Sequence, residues 1–179
     1  MRSIAEIVAR HRVVICAGSG GVGKTTTAAA LAVHGAEQGR RTMVMTIDPA
    51  RRLADALGLR SLGNQARRVR LGGGTLDAMM LDQKGAWDAL VERYAPSPEV
   101  RQRILGNRFY QHLSGSFAGS QEYMAIEQLA ELHASGGYDL IVVDTPPTRH
   151  ALDFLDAPRR IAAFLDRQVI RWFVKPYFS

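Results

Sequence analysis

The sequence is short of cysteine and lysine, and it contains no long apolar run. Cys16 is its only cysteine, which excludes an internal disulfide, and no Cys/His cluster with zinc-site spacing accompanies it. Because Cys16 lies within an apolar stretch, a buried and inert thiol is expected rather than a reactive one. The apolar runs fall far short of the roughly 20 residues that cross a bilayer, and the N-terminus lacks a secretory pattern. A cytoplasmic protein is the expectation. Lys24, Lys84 and Lys175 are the only lysines, so arginine carries almost all of the formal charge of +6. The arginines fall in scattered pairs (Arg40-Arg41, Arg51-Arg52, Arg67-Arg68, Arg159-Arg160) and are not gathered in one tract. No aromatic-and-basic signature of an RNA-binding module occurs, so the pattern favours a solvated surface over a nucleic-acid face.

What is present is an α/β alternation on a chain of 179 residues, enough for one domain with a sizeable core. Ser3 with Glu6 three residues on is a capping-box pattern, predicting a helix over residues 3–9. Residues 13–17 form a continuous apolar run rich in β-branched side chains and read as a strand buried on both faces. A glycine-rich turn follows, then the alanine-rich stretch 24–38, a strong helix former that Gly39 can terminate. Residues 42–47 give a second strand, so strand, turn, helix and strand form a βαβ unit, which requires a parallel sheet. Residues 49–59 read as a loop into a short helix, 63–74 as irregular and basic, and 75–81 as a third strand. Trp87, Leu90, Val91 and Tyr94 recur at helical spacing, and Pro96-Ser97-Pro98 separates them from a polar helix around 99–105. Residues 114–120 have a flexible composition. Ser120 then caps a helix whose apolar face would carry Tyr123, Ile126, Leu129 and Ala130, closed by Gly136-Gly137. Residues 140–143 are the next buried strand. The count is about four parallel strands, few for a doubly wound sheet.

The chemistry concentrates at the first turn. Gly18, Ser19, Gly20, Gly21, Val22, Gly23, Lys24 and Thr25 satisfy G-x-x-x-x-G-K-[ST] between a predicted strand and a predicted helix, the context that gives this motif its meaning. Glycines let successive N–H groups turn inward around a phosphate, and the helix N-terminus adds unpaired donors and partial positive charge. Lys24 is placed for the β- and γ-phosphates, the Thr25 hydroxyl for magnesium, and Thr26 for the α-phosphate. A plain glycine turn explains the glycines but not Lys24-Thr25 in so lysine-poor a chain. ATP with Mg2+ is the expected cofactor pair.

Two acids fit the same site. Asp144 follows four apolar residues, the pattern that carries a magnesium-holding carboxylate at the end of a buried strand. Asp48 ends the second strand in the same way, on the rim where open α/β sheets bind ligands, although an Asp before Pro49 also reads as a turn former.

Together these residues resemble the arsenite-pump and tail-anchored-protein-targeting ATPases, a family of deviant-Walker P-loop ATPases. The markers stand in order: GSGGVGKTT at 18–26, TIDPA at 46–50 and DTPPT-x-H at 144–150. The resemblance implies a P-loop NTPase three-layer sandwich with a mainly parallel sheet. It also implies a homodimer or a heterodimer with a paralogue, closing on ATP and acting on a protein or membrane-associated client. Asp48 would position or activate water, and Thr25, Asp48 and Asp144 would stand near magnesium. Pro49, Thr145, Pro146, Pro147, Arg149 and His150 would form switch loops that loosen once the γ-phosphate is lost.

Three features depart from the family pattern. Ser19 occupies a position where the family usually has a lysine reaching the partner's nucleotide, and charge on the transferring phosphoryl is the main catalytic term. Arg149, where glycine is common, is a candidate substitute. Cys16 alone cannot form the thiolate site that arsenite requires. Family members are about twice this length, so the expectation is an N-terminal portion: a single domain over 1–179, a helical insertion at 85–135, and a helical segment at 159–179 leading toward a further half. That last segment has apolar positions amid arginines. It reads as a helix covering core, with a membrane-surface helix, and hence a peripheral location, as the alternative. A non-catalytic nucleotide-binding subunit and a partition-type, DNA-associated ATPase are the competing functions.

Overall fold

A computed structural model of the chain describes residues 3–48, 50–108, 110–111, 114 and 120–146. In chain order these form α1 (Ile4–Arg10), β1 (Val13–Cys16), α2 (Lys24–Glu37), β2 (Arg41–Thr46), α3 (Arg52–Ala56), β3 (Arg67–Val69), β4 (Thr75–Met80), α4 (Gln83–Tyr94), α5 (Pro98–Leu105), α6 (Ser120–Ser135) and β5 (Leu140–Asp144). Residues 159–179, expected to be helical, and residues 115–119 of the stretch 114–120, expected to be flexible, lie outside the described residues.

The sheet runs β1-β5-β2-β4-β3, with β1, β5, β2 and β4 parallel and β3 antiparallel to β4. Alternation along each strand sends successive side chains to opposite faces. On one face Val44, Leu76, Ala78, Leu140 and Val142 pack with Val8 of α1, Leu53 of α3 and Ala28, Ala29, Ala32 and Ala36 of α2. On the other, Met43, Met45, Met79, Ile141 and Val143 pack with Met124 and Ala125 of α6 and with Trp87 of α4. The result is the expected three-layer α/β sandwich with a mainly parallel sheet. Fully buried Leu and Val side chains of this kind each contribute about 1.5–3 kcal/mol.

The alanine-rich α2 lies close to the sheet because its contact face is short. A Cβ at Gly35 would stand 2.5 Å from Leu140 Cδ2 and 3.1 Å from Thr42 Oγ1. The capping box of α1 forms as its sequence predicts, with Ser3 and Glu6 bonding reciprocally. Asp82 and Ser97 cap α4 and α5.

Three sequence expectations need correction. β1 is not buried on both faces: among the described residues it is an outermost strand paired only with β5. Val14 and Cys16 pack on the α2 face, whereas Ile15 is 37% exposed. The βαβ unit of β1, α2 and β2 is parallel as expected, with β5 lying between its two strands. The basic stretch 63–74 is not wholly irregular, for it contains β3, and the described sheet has five strands. Arg68 on β3 stands opposite Asp77 on β4 and donates to it at 2.5 Å, a cross-strand pair that fixes the edge. Finally, the buried face of α6 carries Met124 and Ala125 with Ile126, Leu129 and Leu132 against them, while Ala130 is exposed.

Candidate functional site

Four segments meet at the C-terminal end of the parallel strands. Leaving β1, the chain passes through the glycine loop into α2. Gly21 and Gly23 have φ of +77° and +85°, values that L side chains rarely adopt, which is why glycine stands there. Gly23 is the N-cap of α2, and no side chain caps that end, so its N–H donors are available to an anion. Lys24 Nζ folds over the loop and donates to the Ser19 carbonyl at 2.8 Å.

β5 and β2 deliver the acids. Their register places Thr46 beside Asp144, and that of β1 places Cys16 on the other side of Asp144. Asp144 is fully buried, and the Thr46 hydroxyl donates to its Oδ2 at 2.9 Å. The same hydroxyl accepts the Asp48 N–H at 3.2 Å. One buried threonine thus ties the strand-end acid to the loop that carries the other acid. Asp48 is oriented further by the Ala50 N–H on Oδ1 at 2.9 Å and by Arg52 on Oδ2 at 2.5 Å. After β5, Thr145 donates both its N–H and its hydroxyl to the Cys16 carbonyl, pinning the start of that loop to the root of the glycine loop.

The electrostatics follow from burial. Asp144 is held above the usual carboxylate range by desolvation, opposed by the nearby Thr25 hydroxyl and by the hydrogen bond from Thr46; the charge of Asp48 raises it further and that of Lys24 lowers it. Its Oδ1 is buried without a hydrogen-bond partner. A buried anionic oxygen beside a threonine hydroxyl, with a second carboxylate nearby, is a donor set suited to a hard divalent cation such as magnesium. Burial, with the Asp144 charge, pushes the Cys16 thiol up to about 11. The expected inert thiol is what this environment produces, and a thiolate site for metalloid has no partner cysteine.

These groups open on a cavity of about 520 Å³. Gly20, Gly21, Gly23, Lys24, Thr25 and Thr26 line it from the loop and α2. Asp48, Arg52, Asp55 and Thr145 line it from the strand ends opposite. Eight of the residues singled out from sequence are therefore gathered around one space. Gly18, Ser19, Val22 and Asp144 lie in the same loop or beneath it, Val22 being 62% exposed, and Pro146 is half-buried just after β5. Pro49, Pro147, Arg149 and His150 fall outside the described residues. Sequence reasoning named Thr46 only as the head of the TIDPA marker, with no task, and did not single out Arg52 or Asp55 as lining the site. The i,i+4 spacing of Asp48 and Arg52 was a readable signal; that of Thr46 was hidden among β-branched strand residues.

A glycine loop between strand and helix, Lys-Thr at the helix start, and an acid closing the adjacent parallel strand define a P-loop NTPase. Within that class the chain belongs to the anion-transporting ATPase family, whose model it matches over residues 11–177. It is 35% identical over 145 residues to the ATPase GET3 of Malassezia globosa, an alignment covering 81% of this chain and 42% of the relative. To the ATPase get3 of Aspergillus terreus it is 36% identical over 148 residues, covering 82% and 43%. The chain thus spans less than half the length of these curated relatives. Among the described residues no helix is long and apolar enough to cross a membrane.

Proposed function

We propose that the chain binds ATP with magnesium and hydrolyses it, as part of a dimeric ATPase that acts on a protein or membrane-associated client. The observation that carries this reading is the Thr46 hydroxyl, which joins buried Asp144 to Asp48 at the mouth of the glycine-loop cavity. Such a brace fixes the two acids relative to each other at one rim of the cavity. Gly20, Gly21, Gly23 and the first N–H groups of α2 cradle the phosphates, and Lys24 moves from the Ser19 carbonyl to phosphate oxygens. Thr25, Asp48 and Asp144 would hold the magnesium, which when bound neutralises phosphate charge. Asp48 orients a water in line with the terminal phosphorus. Attack forms the new P–O bond as the bond to the β-phosphate oxygen breaks; one water proton stays on the phosphate released and the other passes to solvent, leaving ADP and phosphate. Asp48 and Thr145 begin the two segments that would respond to loss of the terminal phosphate, and the client responds through them.

Ser19 favours a second reading, a non-catalytic nucleotide-binding subunit paired with a paralogue, because the loop contributes only one lysine. Steady-state phosphate release separates the two. The first reading expects magnesium-dependent turnover that Lys24→Ala and Asp48→Asn both abolish with the fold retained. Tight ATP binding without any turnover selects the second, and binding to neither ATP nor ADP overturns both.

A further inference from the structure

Among the described residues, Arg52 is the one cavity-lining cation besides Lys24. It opens α3, four residues after Asp48, and its guanidinium lies 2.5 Å from Asp48 Oδ2. Its side chain is 65% exposed whereas that of Asp48 is 15% exposed. Asp48 Oδ1 is taken by the Ala50 N–H, so in this arrangement both carboxylate oxygens are engaged within the loop. An acid held in this way is oriented, and the guanidinium on Oδ2 weakens its pull on a water's proton for as long as the pair lasts.

From this geometry we propose that Arg52 is a phosphate-binding residue that exchanges Asp48 for the terminal phosphate of the bound nucleotide. Guanidinium suits both partners, since its planar fork matches carboxylate and phosphate oxygens alike. Arg52 lines the same cavity as Lys24 and Thr25, so a nucleotide in that cavity brings its phosphate charge to the side chain. The exposure of Arg52 makes its rotamers cheap to change, and an exposed ion pair alone contributes only about 0–1 kcal/mol. A terminal phosphate, carrying more charge and more acceptor oxygens than a carboxylate, displaces Asp48 from the guanidinium. The exchange supplies in cis a cation that Ser19 does not supply, and it frees Asp48 Oδ2 only when the terminal phosphate is present. Ordinary helix-surface pairing of residues four apart predicts no sensitivity to phosphate number. The inference rests on the proposed ATP site.

Equilibrium binding of AMP-PNP and of ADP, each with magnesium, tests it in the wild-type chain, Arg52→Ala and Arg52→Lys. We expect Arg52→Ala to weaken AMP-PNP by about tenfold or more, the worth of one lost charge-assisted contact. ADP should weaken by less than about threefold, and Arg52→Lys should restore part of the AMP-PNP affinity. Equal losses for the two nucleotides, or no loss for either, overturn the proposal while leaving the ATP site standing. Failure of the wild-type chain to bind either nucleotide overturns the ATP site, and this inference with it. The retained affinity for ADP is the control for folding, and Arg52→Gln, read the same way, replaces Arg52→Ala if that variant does not fold.

Discussion

Replacing Asp144 with asparagine should make the nucleotide-free protein more stable, because the wild-type carboxylate is held against its own solvation. Asp144 is fully buried, one oxygen has no hydrogen-bond partner, and burial raises its affinity for a proton. An unmade bond to a buried charged group costs about 2–3 kcal/mol. Asparagine removes the charge, keeps an acceptor for Thr46 and turns its amide N–H toward the Thr25 hydroxyl, which stands beside Asp144 and can accept it. Weakening that bond from charged to neutral offsets about 1 kcal/mol. The net gain is about 1–2 kcal/mol, or about 2–8 °C in Tm for a chain of this size. The sign of the pH dependence is fixed by the raised pKa. A carboxyl whose folded pKa lies above its unfolded value favours the fold at low pH, and that contribution is lost as pH rises through the folded value. Wild type should therefore approach Asp144→Asn as the pH is lowered through that value, and the gap should be widest near neutrality. Urea unfolding of both proteins across this range, without nucleotide or divalent cation, measures it. A destabilised Asp144→Asn at neutral pH, or a gap independent of pH, would refute the reasoning.

Two further outcomes follow from local geometry. Iodoacetamide should alkylate Cys16 slowly near neutrality and faster as pH approaches the thiol's value of about 11, since only the thiolate reacts; rapid labelling at neutral pH would contradict the burial. Gly74 has φ of +80°, and a Cβ there would stand 2.0 Å from the Ala36 carbonyl oxygen. Gly74→Ala should accordingly lower stability by about 2–4 kcal/mol in a urea melt, with a smaller effect counting against the close approach of the β4 entry to α2.

The features that were legible in the sequence depend on local pattern. The glycine loop announces itself by spacing, and β2, β4 and β5 by apolar runs that the buried interior strands of a parallel sheet require. Asp48 and Asp144 were legible because each follows such a run. β3 was not, since Arg67 and Arg68 are both exposed on an edge strand and only Val69 enters the core. The outer position of β1 was equally hidden: its apolar run resembles that of β5, and which strand lies inside is decided by pairing across more than a hundred residues. Thr46 reads as an ordinary β-former until the β2–β5 register sets its hydroxyl against Asp144. Arg52 belonged to an arginine pair that reads as solvated surface, and its four-residue spacing from Asp48 is the local signal of the ion pair that the turn between β2 and α3 forms.

The central claim divides labour at one site: the glycine loop and Lys24 hold the nucleotide, and Asp48 directs the water. Titration of ATP with magnesium into Asp48→Asn and Lys24→Ala, with phosphate release followed in the same samples, tests that division most directly. The account predicts that Asp48→Asn binds ATP and releases no phosphate, whereas Lys24→Ala binds poorly and releases none. Phosphate release by Asp48→Asn at the wild-type rate, or undiminished binding by Lys24→Ala, would contradict it.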